Sequence, residues 1–217
     1  MFDLDGTLLD RDSSLKSFIN TQYDRLLTDL KHIDKQNYVR RFIELDDRGY
    51  VWKDKVYQSL VAEFEIDRLN WQYLLNDYET EFTNYCQPFP YLLETLTSLQ
   101  QQYRLGIITN GRTVFQLRSI EGLGIEDYFD TILISEAEQV RKPQPEIFNT
   151  ALSRLKTTPK ASVYIGDNPQ ADIVGAKNAG LKAIWKRDRF WTQPETADAI
   201  IDELSEILPI LNQWNRS

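Results

Sequence analysis

Two aspartates near the start of the sequence have the spacing of a paired carboxylate site. Asp3 and Asp5 are two residues apart, and Gly6 and Thr7 follow directly. If residues 1–5 form a strand, its two-residue period places both carboxylates on one side. Gly6 would let the backbone turn after the strand, and Thr7 would add a hydroxyl. Such a group of oxygens is a candidate for binding a divalent cation and for acid–base chemistry.

Further polar residues follow short apolar runs later in the chain. They form a turn sequence, a lysine before a proline, and two aspartates near the start of a predicted helix: Thr109, Asn110, Gly111, Lys142, Asp167 and Asp172. Each of them alone is typical of an ordinary turn or helix boundary. Together with Asp3 and Asp5, they lie near the carboxyl ends of predicted strands, where parallel sheets bind ligands. We therefore expect a single site that contains carboxylates, a hydroxyl, a lysine and turn amides.

The apolar runs indicate which elements position these residues. They are short and continuous, and segments of helical periodicity separate them, at residues 105–109, 131–135, 162–167, 182–185 and 199–201. Runs of this kind are typical of a parallel sheet covered by helices on both faces, which is an α/β fold. The first strand would be residues 1–5. Because only Met1 and Phe2 precede Asp3, we also expect further natural residues upstream.

The segment between the first strand and Pro88 has a different pattern. From residue 14 to about residue 82, apolar residues recur at helical spacing in successive segments, which indicates a small helical bundle. We therefore predict an α/β core formed by residues 1–12 and 85–217. An all-α module formed by residues 13–84 is predicted to be inserted after the first strand.

The net charge restricts the classes of partner. The formal net charge is −8 and the isoelectric point is about 4.8. A field of this sign disfavours nucleic acids and anionic membranes as partners. It also repels an anionic substrate, so a phosphate site in this protein would need a metal cation or basic residues close by.

Rare residue types exclude other kinds of site. The single cysteine, Cys86, allows no internal disulfide, which fits a reduced, cytoplasmic setting. No apolar stretch is long enough to span a bilayer. The single histidine, His32, lies in a polar run, so we do not expect a histidine-based triad or a histidine-rich metal site.

The polar segments, taken in order, resemble the motifs of the haloacid dehalogenase-like hydrolase superfamily. The matching segments are Asp-Leu-Asp-Gly-Thr-Leu at residues 3–8, Ile-Ile-Thr-Asn-Gly at 107–111, Lys142-Pro143, and Gly-Asp-Asn-Pro-Gln-Ala-Asp at 166–172. The resemblance implies a Rossmann-like parallel-sheet core with an inserted helical-bundle cap. It further implies a Mg²⁺-dependent phosphatase that acts on a small phosphorylated metabolite. Residues 142–148 and 175–180 resemble the branch of nucleotidases, sugar-phosphate phosphatases and N-acylneuraminate-9-phosphatase.

The resemblance also implies roles for the site residues. Asp3 would attack phosphorus and form an aspartyl-phosphate, and Asp5 would act as general acid and base. Mg²⁺ would be held by Asp3, the backbone carbonyl of Asp5, and Asp167, while Asp172 would order metal-bound water or hold Lys142. The phosphate oxygens would be bound by four residues: Thr109, Asn110, Gly111 and Lys142.

Asp5 bears on the alternatives within the family. A departing alkoxide needs a proton whereas a departing halide does not, and dehalogenases of the family lack the second aspartate. Asp5 therefore favours a phosphatase over a dehalogenase. A phosphomutase uses both aspartates and remains an alternative. So does a non-catalytic phosphate-binding or regulatory protein, although phospho-receiver domains order their acids differently and lack the helical insert.

The loop at residues 46–53 is a candidate for substrate selection. Arg48 and Lys53 could meet a second anionic group, and Tyr50 or Trp52 could stack on a ring. The alternative is a solvated connection between helices with Trp52 packed against them.

Overall fold

A computed structural model describes residues 1–216. The chain divides into two compact units, one formed by Met1–Asp10 with Pro88–Ser217 and the other by Arg11–Gln87. None of the helices in residues 1–216 combines the length and apolarity that a membrane crossing requires.

The unit Arg11–Gln87 is entirely helical. It contains α1 (Arg11–Arg25), α2 (Leu27–Leu30), α3 (Lys35–Asp46), α4 (Lys53–Glu63) and α5 (Trp71–Glu81), with 3₁₀ turns at Asp47–Gly49 and Phe82–Tyr85. Side chains at helical spacing form its core: Leu15, Phe18, Ile19, Phe42, Tyr57 and Leu60 are buried. The Asp34 carboxylate caps α3 by accepting the Asn37 N–H at 2.9 Å, and Asn70 caps α5 in the same way at Tyr73.

The other unit contains a parallel sheet. Its strands are β1 (Gly106–Thr109), β2 (Thr131–Ile134), β3 (Val163–Gly166), β4 (Lys182–Lys186) and β5 (Ala199–Ile201). β1 pairs with β2 with Gly106 opposite Thr131, and β3 pairs with β4, which also pairs with β5. The strands are almost completely buried because helices cover them, as their continuous apolar sequences predict. The predicted α/β fold is confirmed.

The start of the chain joins the two halves of this sheet. Phe2 forms parallel bridges to Ile107 in β1 and Ile165 in β3. The Phe2 N–H donates to the Gly106 carbonyl at 2.8 Å, and the Asp3 N–H donates to the Ile165 carbonyl at 2.9 Å. The resulting order is β2, β1, residues 1–3, β3, β4 and β5. Asp3 is thus fixed at the carboxyl end of a central extended segment.

The extended segment is shorter than the predicted strand at residues 1–5. The carbonyl of Leu4 accepts the N–H groups of Leu8 and Leu9, both at 2.9 Å, and this closes a turn directly after Asp3. Gly6 has φ of 82°, a left-handed conformation that favours glycine. Asp5 therefore lies in the turn and not on a strand. The prediction from strand period required an extended segment through Asp5, so it does not apply to this pair.

Helices and 3₁₀ turns connect and cover the strands. The α-helices are α6 (Leu92–Gln100), α7 (Thr113–Leu123), α8 (Ser135–Glu138), α9 (Pro145–Arg154), α10 (Gly175–Asn178) and α11 (Ile207–Trp214). The 3₁₀ turns are at Glu126–Tyr128, Pro159–Ala161 and Leu204–Glu206. Asn168 caps the element after β3 by accepting the N–H groups of Gln170 and Ala171. That element begins as a π-helix, Pro169–Val174, where the sequence predicts an ordinary α-helix.

Candidate active site

One buried lysine connects two other predicted site residues and a tyrosine. The Lys142 ammonium donates to Asp3 Oδ1 at 2.6 Å, to Asp172 Oδ1 at 2.6 Å and to Tyr164 Oη at 2.9 Å. The Tyr164 hydroxyl donates in turn to the Ile108 carbonyl at 2.8 Å. All three protons of the ammonium therefore have acceptors, which fixes its position between the two carboxylates.

The loop after β1 holds the backbone of Lys142. The Lys142 N–H donates to Asn110 Oδ1 at 2.9 Å, and Asn110 Nδ2 donates to the Lys142 carbonyl at 3.0 Å. The Asn110 side chain is therefore used to join two loops. The backbone amide of Asn110 is then the group that this residue could offer to a phosphate.

Asp167 lies beside Asp3 and Asp172. Each of these three buried residues offers a carboxylate oxygen, and the three oxygens lie within 4.8 Å of one another. The Trp185 indole N–H donates to the Asp167 carbonyl at 2.6 Å, which fixes the backbone at the end of β3. A Cβ atom on Gly6 would lie 2.7 Å from the Asp167 carboxyl carbon, so the turn after Asp3 needs glycine for space as well as for its φ.

The charges in this cluster are not balanced by protein groups alone. Burial and then the nearby Asp172 carboxylate raise the pKa of Asp3 from 3.8 to about 7, in spite of Lys142. Burial and then the charge of Asp3 raise the pKa of Asp167 well above its usual value. Burial alone would lower the pKa of Lys142, but Asp172 and Asp3 outweigh it and raise this pKa to about 12.

Three carboxylates around one ammonium form a set of hard oxygen donors with excess negative charge. Mg²⁺ prefers such donors, and binding it would favour the ionised forms of Asp3 and Asp167. The donor set therefore fits a divalent cation.

Asp5 and Thr109 meet at a residue that the sequence analysis missed. The Thr109 hydroxyl donates to Gln116 Oε1 at 2.7 Å, and Gln116 Nε2 donates to Asp5 Oδ2 at 3.0 Å. The Asp5 side chain thus contacts Gln116 and does not belong to the cluster of Asp3, Asp167 and Asp172. A sequence signal for Gln116 exists, because it lies on the same face of α7 as the buried Ser119 and Ile120.

The Gly111 N–H, another predicted phosphate ligand, donates to the Ser135 hydroxyl at 3.0 Å. The loop after β1 is in this way tied to the residue that follows β2. Tyr164 and Ser135 are further residues that the sequence analysis did not select. Tyr164 is a polar group within an otherwise apolar strand, which is the signal that could have identified it.

The structure places the predicted selection loop within the helical unit. Tyr50 and Trp52 are 61% and 50% exposed. Lys53 is buried, and its ammonium pairs with Asp46, which also accepts two hydrogen bonds from Arg11 at 2.8 and 3.0 Å. Arg48, in the 3₁₀ turn, has a left-handed φ of 55°.

Residues 1–186 match the family described as haloacid dehalogenase-like hydrolase. The chain belongs to this family. The motif resemblance seen in the sequence is confirmed. The haloacid dehalogenase-like match spans all the site residues of the α/β unit named above, from Asp3 to Trp185.

Two curated relatives of this haloacid dehalogenase-like hydrolase are named as a phosphatase and a pyrophosphatase. The chain is similar to a glyceraldehyde 3-phosphate phosphatase of Pyrococcus furiosus, with 29% identity over 100% of this chain and 93% of the relative. It is similar to pyrophosphatase PpaX of Bacillus cereus, with 29% identity over 100% of this chain and 97% of the relative. The prediction of a phosphatase is confirmed at the level of the family and its named relatives.

A solved structure supports the fold. The hydrolase YfnB of Bacillus subtilis, crystallised with bound magnesium, is 26% identical, with a TM-score of 0.75 over 97% of this chain and 96% of that chain. The similarity therefore extends over both compact units of the haloacid dehalogenase-like chain.

Proposed function

We propose that this protein is a Mg²⁺-dependent phosphomonoester hydrolase that acts on a small phosphorylated metabolite through an aspartyl-phosphate on Asp3. The observation that carries the proposal is the buried group of Asp3, Asp167 and Asp172 around the ammonium of Lys142. It combines a nucleophilic carboxylate, a cation for phosphate and a donor set for a divalent metal.

Asp3 and Asp167 would hold Mg²⁺ together with the backbone carbonyl of Asp5, and Asp172 would hold Lys142 and order nearby water. When bound, the metal supplies positive charge that offsets the negative charge of the phosphate and of the carboxylates. The magnesium-bound state of the relative YfnB supports this assignment. A bound Mg²⁺ would also offset the repulsion that a net charge of −8 exerts on an anionic substrate.

The chemical steps use the two aspartates in turn. An Asp3 carboxylate oxygen forms a bond to phosphorus while the bond from phosphorus to the ester oxygen breaks. Asp5 gives its proton to the departing alkoxide and later takes a proton from the water that hydrolyses the aspartyl-phosphate. Lys142 and the backbone amide of Asn110 would bind the phosphoryl oxygens. The Thr109 hydroxyl and the Gly111 N–H, also predicted phosphate ligands, donate to Gln116 and Ser135 and would have to exchange these acceptors for the phosphate.

The helical unit would act as the cap that selects the substrate. Its candidate contacts are Arg48, Tyr50 and Trp52, of which Tyr50 and Trp52 offer exposed rings for stacking. Lys53, also predicted as a contact, is buried and paired with Asp46. The named activities of the relatives place glyceraldehyde 3-phosphate and pyrophosphate among the first substrates to test. The protein is proposed to act in the cytoplasm.

A panel of phosphate compounds with Mg²⁺ tests the proposal. The panel contains p-nitrophenyl phosphate, glyceraldehyde 3-phosphate, pyrophosphate, nucleotides, sugar phosphates and phosphoglycolate, and free phosphate is measured with Mg²⁺ and with a chelator. We expect Mg²⁺-dependent release from at least one ester and a trapped phosphoryl group on Asp3 by mass spectrometry. Transfer to a second hydroxyl without release would indicate a phosphomutase, and halide release from a haloacid would indicate a dehalogenase. No turnover of any compound would indicate a non-catalytic phosphate-binding protein.

A further inference from the structure

Gln116 joins two groups of the proposed mechanism, although the mechanism gives it no role. Its side-chain amide accepts the Thr109 hydroxyl at 2.7 Å and donates to the Asp5 carboxylate at 3.0 Å. The residue is 7% exposed and lies in the first half of α7. A buried amide with both ends satisfied by two site residues has a single favourable position.

The packing around the amide keeps it in place. A Cβ atom on Gly111 would lie 2.8 Å from Gln116 Nε2 and 2.9 Å from its Cγ, so the backbone of the loop after β1 covers the side chain closely. The direction of the amide follows from its partners, because an ionised Asp5 carboxylate only accepts hydrogen bonds. The Nε2 end must therefore face Asp5, and the Oε1 end faces Thr109.

We propose that Gln116 is a positioning residue for the general acid and base Asp5. Its N–H holds Asp5 Oδ2 on the side of Thr109, so that the carboxylate stays out of the group formed by Asp3, Asp167 and Asp172. The inference rests on the proposed phosphatase function. It adds that proton transfer by Asp5 requires Gln116 to hold the carboxylate in position. Gln116 bonds the side chain of Asp5, whereas the group of Asp5 proposed for the metal is its backbone carbonyl.

This role has a consequence that depends on the leaving group. An alkoxide is strongly basic and needs the proton from Asp5, whereas p-nitrophenolate leaves without much help. A misplaced Asp5 therefore slows phosphoryl transfer to Asp3 from alkyl phosphates much more than from p-nitrophenyl phosphate, and kcat/KM measures this step. Hydrolysis of the aspartyl-phosphate also uses Asp5 but is the same for both esters, so it affects kcat and not the comparison of kcat/KM. General packing damage would slow both reactions by similar factors, because Asp3 and Lys142 serve both.

Two variants test the inference with the full-length protein and Mg²⁺. Gln116→Met keeps a similar length without hydrogen bonds. Gln116→Glu keeps the shape and the acceptor for Thr109 but turns an oxygen toward Asp5. For both variants we expect kcat/KM on glycerol phosphate, or on the alkyl ester that wild type cleaves best, to fall about 10- to 100-fold. We expect kcat/KM on p-nitrophenyl phosphate to fall less than about 3-fold.

The exposed Gln101→Met is the matched control and should leave both rates unchanged. Circular dichroism verifies that each variant is folded, and the isosteric Gln116→Glu serves if the methionine variant does not fold. Equal losses of kcat/KM on both esters, or no loss on either, would overturn the positioning role while the phosphatase function stands. A wild-type protein that cleaves neither ester would overturn both the function and this inference.

Discussion

Each compact unit buries a cluster of charged side chains, but the two clusters are built differently. In the helical unit, the carboxylate of Asp46 is held between Arg11 and Lys53. In the α/β unit, the ammonium of Lys142 is held between Asp3 and Asp172, and Asp167 adds a further carboxylate. One cluster surrounds an anion with cations, and the other surrounds a cation with anions.

The pKa values show the result of this difference. Burial would raise the pKa of Asp46, but Arg11 and Lys53 outweigh it and hold this pKa below its ordinary value. In the α/β unit burial prevails, and the pKa values of Asp3 and Asp167 rise. Protein groups alone compensate the buried carboxylate of the helical unit, whereas the other cluster gains from an added cation. We infer that the first cluster is structural and that the second serves binding and catalysis.

The largest expected effect is the loss of turnover in Asp3→Asn. The amide cannot attack phosphorus, so we expect kcat to fall by at least about 1,000-fold. Because the raised pKa of Asp3 means that its ionised form destabilises the metal-free fold, the same change should not lower the unfolding free energy at about pH 8. Phosphate release and urea denaturation of the metal-free protein measure the two effects. A variant that keeps the wild-type rate would show that Asp3 is not the nucleophile.

The corresponding change in the helical unit should affect stability. Asp46→Asn leaves the cations of Arg11 and Lys53 without the carboxylate that lies between them, and Asp46 is only 1% exposed. We expect a loss of about 3–5 kcal/mol in the free energy of unfolding, measured by urea denaturation. Asp47→Asn is the matched control, because the neighbouring Asp47 is exposed and asparagine tolerates its left-handed φ of 44°. Equal stability of the two variants would contradict a structural role for the Asp46 cluster.

Magnesium should stabilise the protein more at high pH than at low pH. The folded-state pKa of Asp3, about 7, lies above its usual 3.8, so the metal-free fold retains a proton that the unfolded chain has lost. The stability of the metal-free protein that comes from Asp3 is therefore lost as pH rises from about 4 to about 7. Mg²⁺ binds the ionised carboxylates, so its effect grows over the same range.

At about 100 times its Kd, Mg²⁺ should add about 2.7 kcal/mol at about pH 8 and clearly less near pH 5. Differential scanning calorimetry with Mg²⁺ and with a chelator measures this difference. Asp46→Asn should keep the Mg²⁺ effect, whereas Asp167→Asn should lose most of it. A Mg²⁺ effect that is independent of pH would mean that the metal is bound by groups other than these aspartates.

The meeting of Asp3, Lys142, Asp167 and Asp172 could be predicted from the sequence for a general reason. In a parallel sheet, residues that follow successive strands lie at one edge, whatever the details of the connections. The structure brings these four residues together. The order of apolar runs and helices was sufficient to predict the fold class for the same reason.

Contacts that depend on side-chain packing could not be predicted in this way. Asp5 lies off the strand because the Leu4 carbonyl closes a turn with Leu8 and Leu9. Lys53 was predicted to meet a second anionic group of a substrate, but the packing of α1, α3 and α4 brings it to Asp46. Neither contact has a periodic signal, because each depends on the path of a short irregular segment and not on the spacing of a helix or strand.

The smallest expected effect compares one tyrosine hydroxyl from each unit. Tyr164 accepts from Lys142 at 2.9 Å, and Tyr57 of the helical unit donates to Gln22 Oε1 at 3.0 Å. Both rings are fully buried. Replacing either tyrosine by phenylalanine removes one hydroxyl from a hydrogen-bonded group, so each variant should lose about 1–2 kcal/mol of unfolding free energy.

Only Tyr164→Phe should also change catalysis. Lys142 then keeps Asp3 and Asp172 but loses the hydroxyl that restricts its position, and we expect kcat on the best ester to fall about 2- to 10-fold. Tyr57→Phe should leave kcat unchanged although its stability falls as much. If both variants lost activity in proportion to their stability, the Tyr164 hydroxyl would contribute to folding alone. The position of Lys142 would then be set entirely by its two carboxylate partners.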